Sequence, residues 1–317
     1  MTRLARALKV PILRSMAEEE IIAGLNAQPP CISPKFFYDR DGCALFERIT
    51  RLPEYYPTRT EAAIMAACGN EIAAQIAPDT TVVELGAGNC EKARALCALI
   101  RPKCYVAVDI AGDFLEDSVA GLRTAFPSLD IKIVVADVNR DVRLPAGVPT
   151  QRRLVFYPGS SIGNFDPEQA MALLVRMRDL LDDRGALLIG VDLVKEKTVL
   201  EAAYNDVAGV TAAFNLNVLE HINRLIGSDF IVGNWRHLAF FNHALSRIEM
   251  YLEATVDTTV RWTCGQRHFH RGERIHTENS YKYRIDDFAS LLERAGFARS
   301  SHWTDACRWF GVFLAEV

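Results

Sequence analysis

Glu84, Gly86, Gly88, Glu91 and Lys92 are the residues whose types and spacing first suggest chemistry. They lie in the run Val82-Val83-Glu84-Leu85-Gly86-Ala87-Gly88-Asn89-Cys90-Glu91-Lys92. The apolar residues up to Leu85 read as a buried strand, and Ala93, Leu96, Cys97, Leu99 and Ile100 as one face of a following helix. Glycines at 86 and 88 permit a sharp turn and let a ligand lie against bare main chain. A dinucleotide-binding turn would carry a third glycine at 91, where this chain has glutamate. A helix start flanked by Glu84 and Glu91 opposes a pyrophosphate and suits a cationic sulfonium without phosphate. The turn therefore predicts S-adenosylmethionine (SAM) as cofactor and S-adenosylhomocysteine as its product.

Such a turn needs a sheet to hold it. After it, Tyr105–Ile110 reads as a second buried strand containing Asp109, about twenty residues on, where a carboxylate commonly meets a ribose hydroxyl pair. Residues 131–137 form a third strand ending in Asp137, followed by Val138. Residues 153–158 form a fourth, opening into Gly159-Ser160-Ser161-Ile162-Gly163-Asn164-Phe165, and 185–193 form a fifth. Helices are expected at 60–76, 113–125 and 167–181, the last capped by Asp166 with Pro167 in its first turn. Strands alternating with helices imply an α/β fold: a doubly wound, Rossmann-like class I methyltransferase sheet, mostly parallel. In such sheets ligands bind beyond the carboxyl ends of the strands, where Glu84, Gly86, Asp109, Asp137 and Asn164 all fall.

The rhythm changes on either side of that core. Residues 12–28 and 43–50 read as helices, and Pro53-Glu54-Tyr55-Tyr56-Pro57 as an extended stretch that either packs a loop or walls a pocket. A helical pair follows within 195–225, and 247–254, 256–263 and 273–283 alternate as strands. The last of these puts Glu278, Ser280 and Lys282 on one face, and the residues alone favour a solvated face for Glu278. A helix at 286–295 and closing strands within 303–314 complete the chain. The expected division is a SAM-binding core at 57–194 and 283–317, with a smaller α+β substrate lobe at 1–56 and 195–282.

Composition narrows the function classes. The 317 residues are 50% hydrophobic and 24% charged, as in ordinary globular proteins. A net charge of −4 argues against a nucleic-acid partner. Eight scattered cysteines without a paired spacing read as buried or half-buried thiols in a reducing compartment. No apolar run approaches a membrane span, and the N-terminus lacks a cleavable leader pattern, so a cytoplasmic protein without membrane contact is expected. His268, His270 and His276 invite a metal, but no cysteine or acid joins them at ligand spacing in the sequence, so none is expected. Gly159-Ser160-Ser161 lacks the elbow of a serine nucleophile.

The segments PKFFYDRDG, ITRLPEYYPTRTEAAIM, VVELGAGNCEK, GSSIGNF, DLVKEKTVLEAAYNDVAGVTAAFNLNVL, RIEMYL and HTENSYKY together resemble the histidine Nα-methyltransferases of ergothioneine biosynthesis. The resemblance runs from about residue 30 to the end and includes the inserted lobe, which a generic SAM-binding sheet would not. It implies a SAM-dependent enzyme that trimethylates the α-amine of L-histidine to hercynine. It further implies that Asn164 and Tyr204 hold the substrate carboxylate, that Tyr55 lines the amino-acid pocket, and that Tyr38 sits near the amine, with Tyr38 and Asn164 in catalytic roles. Glu278 and Ser280 would hydrogen-bond the imidazole, with Met250 packed against it. Gly86, Lys92, Asp109, Asp137 and Val138 match the family's cofactor positions, and Glu84 and Gly88 of the turn are expected to join them. Gly-Ala-Gly-Asn-Cys stands where Gly-Ser-Gly-Thr-Ser is more familiar, and Asn279 and Tyr281, which depart from the family pattern, are expected to point away from the Glu278 face. The partners implied are L-histidine and its mono- and dimethylated forms; a monomer is expected. Two other readings are a methyltransferase for another amine, such as a tryptophan derivative, and a non-catalytic SAM-binding protein.

Overall fold

A computed structural model describes residues 16–140, 142–263 and 265–317. Helix α1 covers 16–26, and the part of the expected first helix before residue 16 lies outside the described residues. The chain forms two compact units. The sheet unit comprises Tyr56–Glu196, Ala244–Arg247 and Ser280–Val317. The second comprises the described residues up to Tyr55 with Lys197–His243 and Ile248–Asn279.

The sheet unit contains β1 (Thr81–Leu85), β2 (Cys104–Asp109), β3 (Asp130–Val135), β4 (Arg153–Tyr157), β5 (Ala186–Asp192), β11 (Arg299–Thr304) and β12 (Phe310–Glu316). They lie in the order β11-β12-β5-β4-β1-β2-β3. The first five are parallel, while β12 pairs antiparallel with β5 and with β11. The sheet is the doubly wound one expected. Strand order reverses between β1 and β4, which opens a crevice at their carboxyl ends.

Alternation along β1 and β2 assigns the two faces. Val83, Leu85, Val106 and Val108 join one core with α6 (Pro167–Asp179) and α9 (Ile285–Arg294). Val82, Tyr105 and Ala107 join the other with α3 (Tyr56–Gln75), α4 (Glu91–Ile100) and α5 (Gly112–Ala125). With both faces covered, the strands carry continuous apolar runs. A capping box between Asp166 and Gln169 starts α6 and is worth about 1 kcal/mol.

One expectation fails here. Tyr56 and Pro57 are not extended but open α3, where proline lacks only an N–H that the first turn does not use. Tyr56 is fully buried against Trp309.

The second unit holds α2 (Arg40–Ile49), α7 (Lys197–Tyr204) and α8 (Val210–Ile226) with most of a sheet ordered β10-β7-β6. These strands are β6 (Trp235–Asn242), β7 (Arg247–Ala254) and β10 (Arg274–Tyr281). Strands β8 (Thr258–Trp262) and β9 (Gly265–Phe269) make a separate two-stranded hairpin. The division between units falls within β10, after Asn279. Among the described residues no helix is long and apolar enough to cross a membrane.

Candidate active site

At the end of β1 the chain turns through Gly86 at φ 73° and Gly88 at φ 52°. The Gly86 and Ala87 N–H groups both donate to the carbonyl of Val108, which locks the turn onto β2. A side chain built at either glycine would meet nothing within 4 Å, so open space stands over bare main chain. Cys90 also takes a positive φ, 57°, which a residue with a Cβ adopts at a cost of about 1–2 kcal/mol. The Asp109 carboxylate braces the turn by accepting from the N–H groups of Gly88 and Ala111, both at 2.9 Å. Asp137 accepts from Asn139 N–H at 2.9 Å, and Val138 packs on the core beside it.

Glu84 behaves differently from its reading as a charge facing the ligand. It lies on the α3 and α4 side of β1, is 1% exposed, and accepts a 2.5 Å hydrogen bond from the Tyr105 hydroxyl. Burial pushes its carboxyl up to about 8, against the pull of that hydrogen bond. At neutral pH it is mostly uncharged, so the electrostatic case against a phosphate rests on the exposed Glu91.

Lys92 points across the crevice between β1 and β4. Its ammonium pairs with Glu61 at 2.7 Å, and Glu61 also accepts from Gly159 N–H at 3.0 Å. Gly159 has φ 81°, which favours glycine, and a Cβ there would come within 2.8 Å of the Lys92 ammonium, which would have to shift. Glu61 sits in the alanine-rich helix α3, where only its charge could have marked it in the sequence.

Beyond β4 and β5 lies a cluster that the sequence reading did not assign. The Asp192 carboxylate accepts from the Tyr56 hydroxyl at 2.7 Å, from the Lys282 ammonium at 2.7 Å and from that of Lys195. Ser160 belongs to the same cluster, its Oγ accepting from the Asp192 N–H at 2.8 Å. The Lys195 and Lys282 side chains are 3% and 0% exposed. Burial and the second cation outweigh the carboxylate and bring Lys195 down to about 8. Burial raises the Asp192 carboxyl, but the two lysines more than offset this and hold it below its ordinary value. Lys282 also donates to Ser280 Oγ at 2.7 Å. Next to Ser280, the 3-10 turn Ser161–Asn164 packs so tightly that a Cβ on Gly163 would lie 2.9 Å from the Tyr281 carbonyl oxygen. Asn164 and Ser280 are thereby brought to adjoining segments within the sheet unit. Tyr281 turns elsewhere, its hydroxyl accepting from Arg247 at 2.6 Å.

In the second unit, Tyr38 and Tyr55 both place their rings edge-on to Phe46, at 5.8 and 6.4 Å. Tyr204 is 8% exposed. Its carbonyl oxygen can only accept, so the 2.9 Å bond to His237 Nε2 puts the proton there and leaves Nδ1 to accept from Asn215. Burial lowers the His237 pKa, in keeping with this neutral form. Met250 is buried on β7. Glu278 on β10 is 8% exposed, which overturns a solvated face for it. Asn279 differs, its Oδ1 bonded to His276 Nε2 at 2.9 Å. A carboxylate buried this deeply needs polar partners to offset its lost hydration.

Residues 17–317 match the family described as histidine-specific, SAM-dependent methyltransferases. The chain is 38% identical to the histidine N-alpha-methyltransferase of Mycolicibacterium smegmatis, over 98% of both chains. It is 32% identical to ergothioneine biosynthesis protein 1 of Neurospora crassa, over 84% of this chain and 31% of that longer protein. Among solved structures, the PH0226 protein of Pyrococcus horikoshii aligns with a TM-score of 0.50 and 10% identity, over 86% of this chain and 97% of that one, a likeness of fold alone. The open glycine turn, the carboxyl-end acids and the match across nearly the whole chain agree: the protein belongs to the SAM-dependent, histidine-specific methyltransferases.

Proposed function

We propose that this chain methylates the α-amine of L-histidine three times, giving hercynine, as a step of ergothioneine biosynthesis. The buried carboxylate of Glu278, on the strand that continues to Ser280, is the observation that carries the choice of an imidazole substrate. An imidazole offers one N–H and one lone pair, which a carboxylate and a hydroxyl complement. Lys282 ties Ser280 to the buried charge cluster, its ammonium donating to Ser280 Oγ at 2.7 Å.

The open main chain at Gly86 and Gly88 fits SAM, which Asp109, Asp137, Val138 and Lys92 would help hold. When bound, SAM supplies an electrophilic methyl on a cationic sulfur. In each round the amine lone pair forms the new C–N bond as the C–S bond breaks, and an amine proton leaves to solvent. Asn164 and Tyr204 are assigned the carboxylate, Tyr55 and Met250 the walls of the pocket, and Tyr38 the neighbourhood of the amine. Fixing the carboxylate and the ring of one small molecule orients the nitrogen between them. A free α-amine titrates near 8, so no strong base is assigned. Aromatic faces at Tyr38 and Tyr55 favour the growing ammonium. The third methyl uses the lone pair, and transfer stops. The reading has the chain act as a cytoplasmic monomer; the free thiols support a reducing compartment.

The test is incubation with SAM and L-histidine followed by mass spectrometry. Mono-, di- and trimethylated histidine appearing in succession is expected. Methylation of a tryptophan derivative in preference to histidine would favour the other amine, and SAM binding without any methylated product a non-catalytic protein.

A further inference from the structure

His268 and His270 alternate on β9 around Phe269, which is fully buried on the opposite face. Their spacing in the sequence offers no acid, but the hairpin supplies one. Strands β8 and β9 pair antiparallel with Thr258 opposite Phe269 and Thr259 opposite His268. One step further along the same register sets Asp257 across from His270. Cross-strand partners share a face, so His268, His270, Asp257 and Thr259 stand together on the exposed side. One ligand atom from each of the two histidines and Asp257 lies within 4.8 Å of the others, and His270 Nδ1 is 3.8 Å from Asp257 Oδ1.

We propose that Asp257, His268 and His270 form a surface site for a late first-row divalent cation, independent of the residues assigned to histidine and SAM. The donor set is two imidazole nitrogens and one carboxylate oxygen, with water to complete the coordination. That set suits Ni2+, Cu2+, Zn2+ and Co2+ and discriminates against Mg2+ and Ca2+, which take oxygen ligands. Bonds of about 2.0–2.2 Å need the three donors to close in by roughly 1 Å, within the reach of exposed side chains. Two outer partners already orient the ligands. The Thr259 hydroxyl lies 2.9 Å from His268 Nδ1, and in the tautomer whose Nδ1–H donates to it, Nε2 is left as the metal donor. The Arg271 N–H donates to Asp257 Oδ1 at 2.7 Å, fixing the carboxylate. Asp257 precedes β8 and His270 follows β9, so the ion closes the open end of the hairpin. His276 takes no part; it is engaged with Asn279.

The test uses the full chain without an affinity tag and without histidine or SAM, both of which chelate. Titration calorimetry with NiCl2 should show one ion per chain in the micromolar range, weaker Co2+, and no heat from Mg2+. His268→Ala should weaken Ni2+ at least about tenfold, and the His268→Ala/His270→Ala pair should abolish it. Ni2+ should raise the melting temperature of the parent chain and not of the pair, while methyl transfer by the metal-free pair stays at the parental rate. Cys307→Ser should bind as the parent does; loss of binding there would assign the ion to a thiol and overturn the proposal. Equal affinity in the histidine pair, or no binding by the parent below millimolar Ni2+, would overturn it too.

Discussion

The glycine turn after β1 and the cluster around Asp192 stand at the same end of one sheet and are built on opposite plans. The turn presents main chain and open space, and its side chains either brace it from beneath, as Asp109 does, or bury themselves, as Glu84 does. The Asp192 cluster turns its backbone inward, the Asp192 N–H donating to Ser160 Oγ and the Leu193 carbonyl accepting from Lys195. It gathers a carboxylate, two ammonium groups and two hydroxyls out of water. A main-chain site is defined by φ and by what must be absent. A side-chain cluster is defined by charge and by what must be present. The first is a matter of main chain; the second reaches Ser280 through Lys282.

The sharpest way to break this contrast is Asp192→Asn, which leaves two buried lysines without their carboxylate. Unfolding in denaturant should show a loss of about 3–5 kcal/mol; a change within experimental scatter would mean that the cluster is not the buried charge centre described. Next in size is Glu278→Gln. Calorimetry should find histidine bound at least tenfold more weakly, a loss of about 1.4 kcal/mol or more, with SAM affinity unchanged. An equal loss for both ligands would point to misfolding rather than recognition. Gly86→Ala tests the other plan. Its Cβ meets no protein atom but is held at a positive φ, so stability should fall by only about 1–2 kcal/mol, while SAM binding weakens more than tenfold because the methyl enters the ligand's space.

The last effect concerns pH. The Glu84 carboxyl is raised to about 8 from an ordinary value of 4.5. Between those values the folded chain holds a proton that the unfolded chain has lost. That contribution is therefore fully present below pH 4.5 and drains away as pH climbs toward 8, by about 1.4 kcal/mol per unit. Glu84→Gln should flatten this part of the melting temperature profile, and an unchanged slope would show that Glu84 is ionised in the folded chain.

The same contrast explains what could be read in the sequence. The turn at Gly86 and Gly88 and the strand-end places of Asp109, Asp137 and Asn164 were legible because turns and strand ends leave local marks. The doubly wound sheet followed from apolar runs alternating with helices, and β11 and β12 return at its edge, starting four residues before and ending two after the expected 303–314. Asp192, Lys195, Lys282 and Tyr56 were not legible as a set, since they come together only through tertiary packing across 136 positions of chain between Tyr56 and Asp192. Lys282 shared the expected face with Glu278 and Ser280 but had no partner in sequence to give it a role. Tyr56 was misread because a proline beside two tyrosines looks extended, whereas helix first turns accept proline. Strand β6 was missed because aromatic and asparagine residues masked its alternation. Glu278 turned on burial, which a single alternating strand cannot reveal.

The thiols around the cofactor strand have a consequence for covalent labelling. Burial pushes Cys90 and Cys97 up to about 12 and raises Cys104 as well, so all three stay protonated and make poor nucleophiles. Cys307 breaks the expected pattern, since it is exposed while the other described cysteines are buried or half-buried. A maleimide or iodoacetamide dye added to the native chain should therefore mark Cys307 first among the described cysteines, giving a fluorescent reporter that leaves the turn beneath SAM chemically untouched.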